Sequence, residues 1–216
     1  MPEPTSRSAV ANMRELMQVT LGEAEADLAI VNGNTVNVYT GEVLSGDTVL
    51  IKGNKIAYVG KNADKSIGSS TKVIDAAGKT LVPGFIDGHT HSDFIYSTSE
   101  LVRFAMKGGT TTIITEISGF VFPLGFQGII EFLRSAQNQP IKILATAPAM
   151  VTINPAAKEH LLTADQLCRL LRRKEFLGLG ESYWGPVING DPRTLELIAE
   201  TMRLGKRVEG HSAGAR

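Results

Sequence analysis

From Leu81 onward short apolar runs alternate with helix-patterned stretches, and this alternation restricts the fold more than any other feature. The strand candidates are Leu81 to Asp87, Thr111 to Glu116, Ile141 to Ala147, Phe176 to Glu181, and Arg207 to Gly210. Helices with legible starts lie between them. Ser97 with Glu100, and Thr163 with Gln166, fit the capping box, in which two side chains satisfy free N–H groups of a first turn. Asp191-Pro192 reads as an N-cap followed by a first helical proline, and Gly205 stands where that helix should end. Its apolar face is expected at Leu195, Ile198, Ala199 and Met202. Alternating strands and helices imply parallel pairing through right-handed crossovers.

Residues 27–82 have another character. Leu28–Val31, Thr35–Tyr39, Thr48–Ile51 and Lys55–Val59 are β-rich runs split by Asn32-Gly33-Asn34 and Gly53-Asn54, which supply the positive φ of tight hairpins. A small antiparallel sheet, a β-sandwich domain, is expected there, and it contains no histidine. Before it, residues 1–6 read as a loose arm. From Arg7 to Leu21, Val10, Met13, Met17 and Leu21 recur at helical steps, predicting a helix that docks on the adjoining β-rich segment. The expected organisation is an arm and helix at 1–26, the sandwich at 27–82 and an α/β domain at 83–216.

Charge narrows the function classes. Twenty-two basic residues balance 22 acidic ones, which excludes a broadly basic nucleic-acid binder and a charge-driven membrane protein. No apolar run reaches the ~18 residues of a membrane span, and the first residues carry no export signal. Cys168 is the only cysteine, so no internal disulfide forms and a reducing, cytoplasmic compartment is expected.

The candidate chemistry sits at strand ends. His89 and His91 close the first strand two residues apart, so both imidazoles leave one face and can reach one ion. Parallel α/β folds place active sites at this end. Glu181 closes another apolar strand, where a carboxylate must be hydrated, paired or metal-bound. His211 repeats the arrangement on the next strand, and the mixed nitrogen/oxygen set suits Zn, Fe or Mn. Other residues have plainer readings. His160 is read as a surface histidine, Cys168 as an inert core thiol, and Arg169, Arg172, Arg173 and Lys174 as a solvated helix end. Lys107-Gly108-Gly109 is no phosphate loop, because it does not run from a strand into a helix.

With these residues in view, the chain resembles the amidohydrolase superfamily through Pro83-Gly84-Phe85-Ile86-Asp87-Gly88-His89-Thr90-His91. Within it the chain resembles the adenine deaminase family. That likeness rests on Leu21 to Leu28 with Val38-Tyr39-Thr40-Gly41, on Gly178-Leu179-Gly180-Glu181 with Val187 to Pro192, and on Glu209-Gly210-His211. The resemblance implies an α/β fold: a partial TIM-like barrel of the metal-dependent hydrolase type with a small β-sandwich domain. It implies two divalent transition-metal ions, Mn or Fe foremost and Zn the alternative. His89 and His91 would hold one metal, Glu181 would bridge, and His211 would hold the other. The implied reaction is hydrolysis of adenine to hypoxanthine and ammonia, with a purine base as the small-molecule partner and a homo-oligomer as the full-length assembly.

The chain also departs from the family pattern. Ser92-Asp93-Phe94 replaces Ile-Glu-Ser, so Asp93 keeps an acid one methylene shorter and is a candidate catalytic residue beside Glu181. Glu116-Ile117-Ser118-Gly119 stands where the family carries Asp-Pro-His-Glu. Such drift leaves a sister amidohydrolase acting on another cyclic amidine or amide as one alternative, and a non-catalytic assembly module as the other. Five strands against the eight of a full barrel imply the first part of a longer protein.

Overall fold

The computed structural model describes residues 6–94, 96–149 and 161–212. The chain divides at Pro83/Gly84 into two compact units.

The first unit is a helix and one five-stranded sheet. Helix α1 (Ser6–Leu21) precedes strands β1 (Leu28–Val36), β2 (Val43–Lys52), β3 (Lys55–Gly60), β4 (Lys72–Asp75) and β5 (Thr80–Leu81). The sheet order is β3-β2-β1-β4, with β5 also on β1. β1, β2 and β3 pair antiparallel as expected, but β4 and β5 pair with β1 in parallel, so the sheet is mixed. Gly53-Asn54 does form the tight turn, with Gly53 at φ +58°. Asn32-Gly33-Asn34 does not: β1 runs straight through it, and the register shifts on either side of Gly33 mark a bulge. The positive φ of Asn32 (+55°) serves that bulge rather than a chain reversal. The helix also corrects its expectation. Val10, Met13, Met17 and Leu21 are exposed, and Val19 instead packs with Ala26, Ala29, Leu50 and Ala63. The expected stripe is thus not the face of α1 that packs, and Val19 supplies its buried contact. The loose arm expected at 1–6 lies, up to Thr5, outside the described residues, and Ser6 already belongs to α1.

The second unit carries five parallel strands: β6 (Phe85–His91), β7 (Thr110–Glu116), β8 (Lys142–Pro148), β9 (Phe176–Tyr183) and β10 (Arg207–His211). Their spatial order is their chain order, β10-β9-β8-β7-β6, the winding of a barrel rather than of a doubly wound sheet. Helices α2 (Thr98–Lys107), α3 (Ser118–Ala136), α4 (Ala164–Leu171), α5 (Trp184–Ile188) and α6 (Pro192–Arg203) fill the crossovers. Strand β6 begins later than the apolar pattern suggested. Pro83 has no N–H to give a ladder, so pairing restarts at Phe85 and reaches His91.

The helix starts fall where the side chains can cap. Thr163 and Gln166 form the full box, whereas at Ser97 it is one-sided: Ser97 accepts from the Glu100 N–H, but the Glu100 carboxylate has turned to Arg103 at 2.8 Å. Asp191 caps α6 through the Thr194 N–H at 2.8 Å. The buried face of α6 is Thr194, Leu197 and Thr201, while Leu195 and Met202 are exposed. Hydroxyls that bond locally (Thr201 to the Leu197 carbonyl at 2.6 Å) tolerate burial, so hydropathy alone misplaces the stripe. The core joins Ile117, Val121, Ile129, Phe132 and Leu133 to Ala145, Ala147, Leu167, Leu170, Leu171, Phe176, Leu179 and Leu197, with Cys168 packed on it. Among the described residues no helix is long and apolar enough to cross a membrane.

Candidate metal centre

Neighbouring strands lie about 4.8 Å apart, so in a flat sheet β6 and β9 would be separated by about 14 Å. Yet His91 Nε2 on β6 is 3.2 Å from Glu181 Oε1 on β9. The sheet is therefore curled, and its curvature draws the carboxyl ends of non-adjacent strands together. From β10, His211 Nε2 reaches the same Glu181 Oε1, also at 3.2 Å. One ligand atom from each of His89, His91 and Glu181 lies within 4.8 Å of the other two. The imidazoles of His89 and His91 leave β6 together, ring centroids 5.3 Å apart and edge to face. All four residues singled out in the sequence thus meet at one end of the sheet.

Glu181 is 5% exposed and sits at φ +44°, in the left-handed region that non-glycine residues rarely adopt. A buried carboxylate on a strained backbone, facing two imidazoles, is an arrangement the fold holds against its local preference.

Asp93 lies on the Nδ1 side of the His91 ring, whose Nε2 faces Glu181. Its side chain is fully buried, Oδ2 accepts the Gly119 N–H at 2.6 Å, and Oδ1 is 3.8 Å from His91 Nδ1. Burial raises its pKa, opposed by the bond from Gly119. Phe94 stacks on the His91 ring at 5.0 Å, and Tyr183 leans on His211 at 5.1 Å. Thr115 braces the loop after β6 by accepting the Ser92 N–H at 3.0 Å.

Two further acids join the site that the sequence pattern does not single out. Glu116 closes β7, is 1% exposed, and accepts a hydrogen bond from the Thr146 hydroxyl through Oε1. Glu209 on β10 places Oε1 3.4 Å from His89 Nδ1. With His89 they form a second group whose ligand atoms lie within 4.8 Å of one another. Burial first, then the charges of Glu181 and Glu209, push the Glu116 carboxyl up to about 8, against the Thr146 bond. The signal for Glu116 is the same as for Glu181, a carboxylate ending an apolar strand. Glu209 carries no such signal, because it lies inside the expected strand Arg207 to Gly210 rather than at its end. Of the residues given plainer readings, His160 lies outside the described residues. Cys168 packs on the core and burial raises its thiol pKa. Arg172 pairs with Glu200 at 2.7 Å and Arg173 with Glu175 at 2.9 Å. Gly108 caps the end of α2, as the reading of Lys107-Gly108-Gly109 requires.

The donor set fits a divalent cation. Glu116 Oε2 and Glu209 Oε1 are buried without a hydrogen-bond partner, and imidazole with carboxylate suits first-row transition ions. Unpaired buried acceptors cost free energy that a cation would recover.

No protein-family profile matches the chain. Fold and site together define a partial barrel of the amidohydrolase type. The N-acyl-D-glutamate deacylase of Bordetella bronchiseptica, solved with zinc and a phosphonate inhibitor, superimposes with a TM-score of 0.58 at 16% identity, over 87% of this chain and 45% of that one. A D-aminoacylase with a binuclear metal centre gives 0.57 at 18%, over 86% and 45%. By sequence the chain belongs to the adenine deaminase family. It is 36% identical over 203 residues to the adenine deaminase of Ruegeria sp. (strain TM1040), covering 92% of this chain and 34% of the relative. With that of Moorella thermoacetica it shares 34% over 214 residues, 97% and 36% of the two chains. The chain thus spans about a third of the length of the curated relatives it matches.

Proposed function

We propose that the site serves metal-dependent hydrolysis of a cyclic amidine, adenine being converted to hypoxanthine and ammonia in a reducing, cytoplasmic compartment. The observation that carries this reading is the convergence of His91 and His211 on one oxygen of Glu181. Kinship with adenine deaminases supports adenine as the substrate. His89, His91, Glu181 and His211 would hold divalent ions, Mn or Fe ahead of Zn. Bound there, such ions would lower the pKa of water toward neutral and polarise the group under attack. Glu181 supplies the negative charge that lets cations sit close together. Asp93, anchored on Gly119 and 3.8 Å from His91 Nδ1, would steer the orientation of His91, and orienting a ligand in this way tunes affinity. Phe94 and Tyr183 set aromatic faces beside two of the histidines, suited to a planar purine. In the net reaction the oxygen of water replaces the exocyclic amino group at the ring carbon, and the nitrogen leaves as ammonia.

The test is ammonia release from adenine by the whole protein that carries this chain, loaded with Mn or Fe. Turnover of adenine supports the reading. Turnover of another cyclic amidine or amide, with none of adenine, moves the protein to a sister activity, which the use of Asp93 and Gly119 in a loop tie favours. No hydrolysis by a fully loaded protein overturns the enzymatic reading.

A further inference from the structure

We propose that His89, Glu116 and Glu209 form an additional cation subsite beside the group centred on Glu181, taking a divalent ion such as Mn2+. The subsite rests on the metal-dependent function proposed for the site, because His89 is common to both groups. An imidazole has two distinct ring nitrogens, so one residue can serve two neighbours.

Three observations carry it. The ligand atoms of the three residues lie within 4.8 Å of one another, on three different strands that only the curl of the sheet brings together. Glu116 is 1% exposed; Oε1 is taken by Thr146, and Oε2 is left buried without a partner. Glu209 brings a second buried acceptor, Oε1, equally without a hydrogen bond. When both are ionised, the two carboxyls repel unless a positive charge or a shared proton sits between them, and His89 Nδ1, 3.4 Å from Glu209 Oε1, is the neighbouring nitrogen. Among the described residues no Lys or Arg pairs with either acid, and His89 is the basic neighbour of Glu209. One nitrogen and two oxygens are a donor set for Mn2+ or Zn2+.

The rival is a proton shared between the two carboxyls, and counting bound ions separates the two. Metal-stripped protein is dialysed against Mn2+ alone, and bound Mn2+ is measured by elemental analysis for wild type, Glu209→Gln, Glu116→Gln and Glu181→Gln. We expect Glu209→Gln and Glu116→Gln each to bind one equivalent fewer than wild type. Glu181→Gln should lose ions from the other group and keep the equivalent that Glu209→Gln removes. A thermal melt without metal controls for folding: Glu209→Gln, relieved of one like charge, should melt no lower than wild type. Equal Mn2+ in wild type, Glu209→Gln and Glu116→Gln would overturn the subsite and leave a shared proton only. If Glu181→Gln alone then loses metal, the proposed function stands without the additional ion. If Glu209→Gln loses an ion while Glu181→Gln loses none, the subsite stands and the role given to Glu181 falls.

Discussion

Asp93 Oδ2 accepts the backbone N–H of Gly119 at 2.6 Å, tying the loop after β6 to the first turn of α3. The carboxylate occupies the positive end of a helix while its other oxygen faces His91. Asp93→Ala should leave that N–H unsatisfied and destabilise the chain by about 1–3 kcal/mol in a denaturant melt. Asp93→Asn keeps an acceptor and should cost less stability, yet lower metal affinity about 10–100-fold through the lost orientation of His91. Unchanged affinity in Asp93→Asn would make Asp93 a loop tie alone.

Glu181 combines a buried carboxylate with a φ of +44°. Glu181→Gln preserves size and removes charge, so metal occupancy should drop and hydrolysis fall by orders of magnitude with the fold intact. Glu181→Gly also releases the backbone, worth about 1–3 kcal/mol. The metal-free Glu181→Gly chain should therefore melt above wild type, while binding metal worse. A lower melting point would mean that the side chain's contacts outweigh the strain.

The metal-free protein should lose stability as the pH rises through the Glu116 window. Its carboxyl titrates at about 8 when folded against an ordinary 4.5. Below 4.5 both states hold the proton and no penalty exists. Between 4.5 and 8 the unfolded chain gives its proton up while the folded one keeps it, so folding weakens by up to about 1.4 kcal/mol per pH unit, then levels off. Urea melts across this range should show the decline in wild type and not in Glu116→Gln.

Gly180 admits no side chain. A Cβ there would lie 1.8 Å from Glu116 Oε1 and 2.2 Å from Thr146 Oγ1. Gly180→Ala should cost about 1–3 kcal/mol or more, with a lower denaturation midpoint at unchanged slope. Gly185→Ala, whose Cβ meets nothing within 4 Å, is the control and should be neutral or mildly stabilising. Equal effects would mean that the strand moves aside at little cost.

By itself the sequence determined the local grammar: the β/α alternation, the caps at Thr163 and Asp191, the turn at Gly53, and the pairing of His89 with His91 two residues apart. These arise from side chains interacting with backbone a few residues away, which a linear pattern records. It also marked Glu181 and His211, since Glu181 closes and His211 follows an expected strand, and the family likeness covers both. Tertiary structure decided what depends on distant neighbours. Whether Asn32-Gly33 turns the chain or bulges a strand depended on what pairs with β1. Which stripe of α1 and α6 is buried depended on where each helix lands and on threonines that satisfy their own hydroxyls. Glu209 joins His89 across the full width of the sheet, about 19 Å if flat, because the strands curl. Curvature accumulates from the packing of every strand and helix, and no short stretch of sequence encodes it.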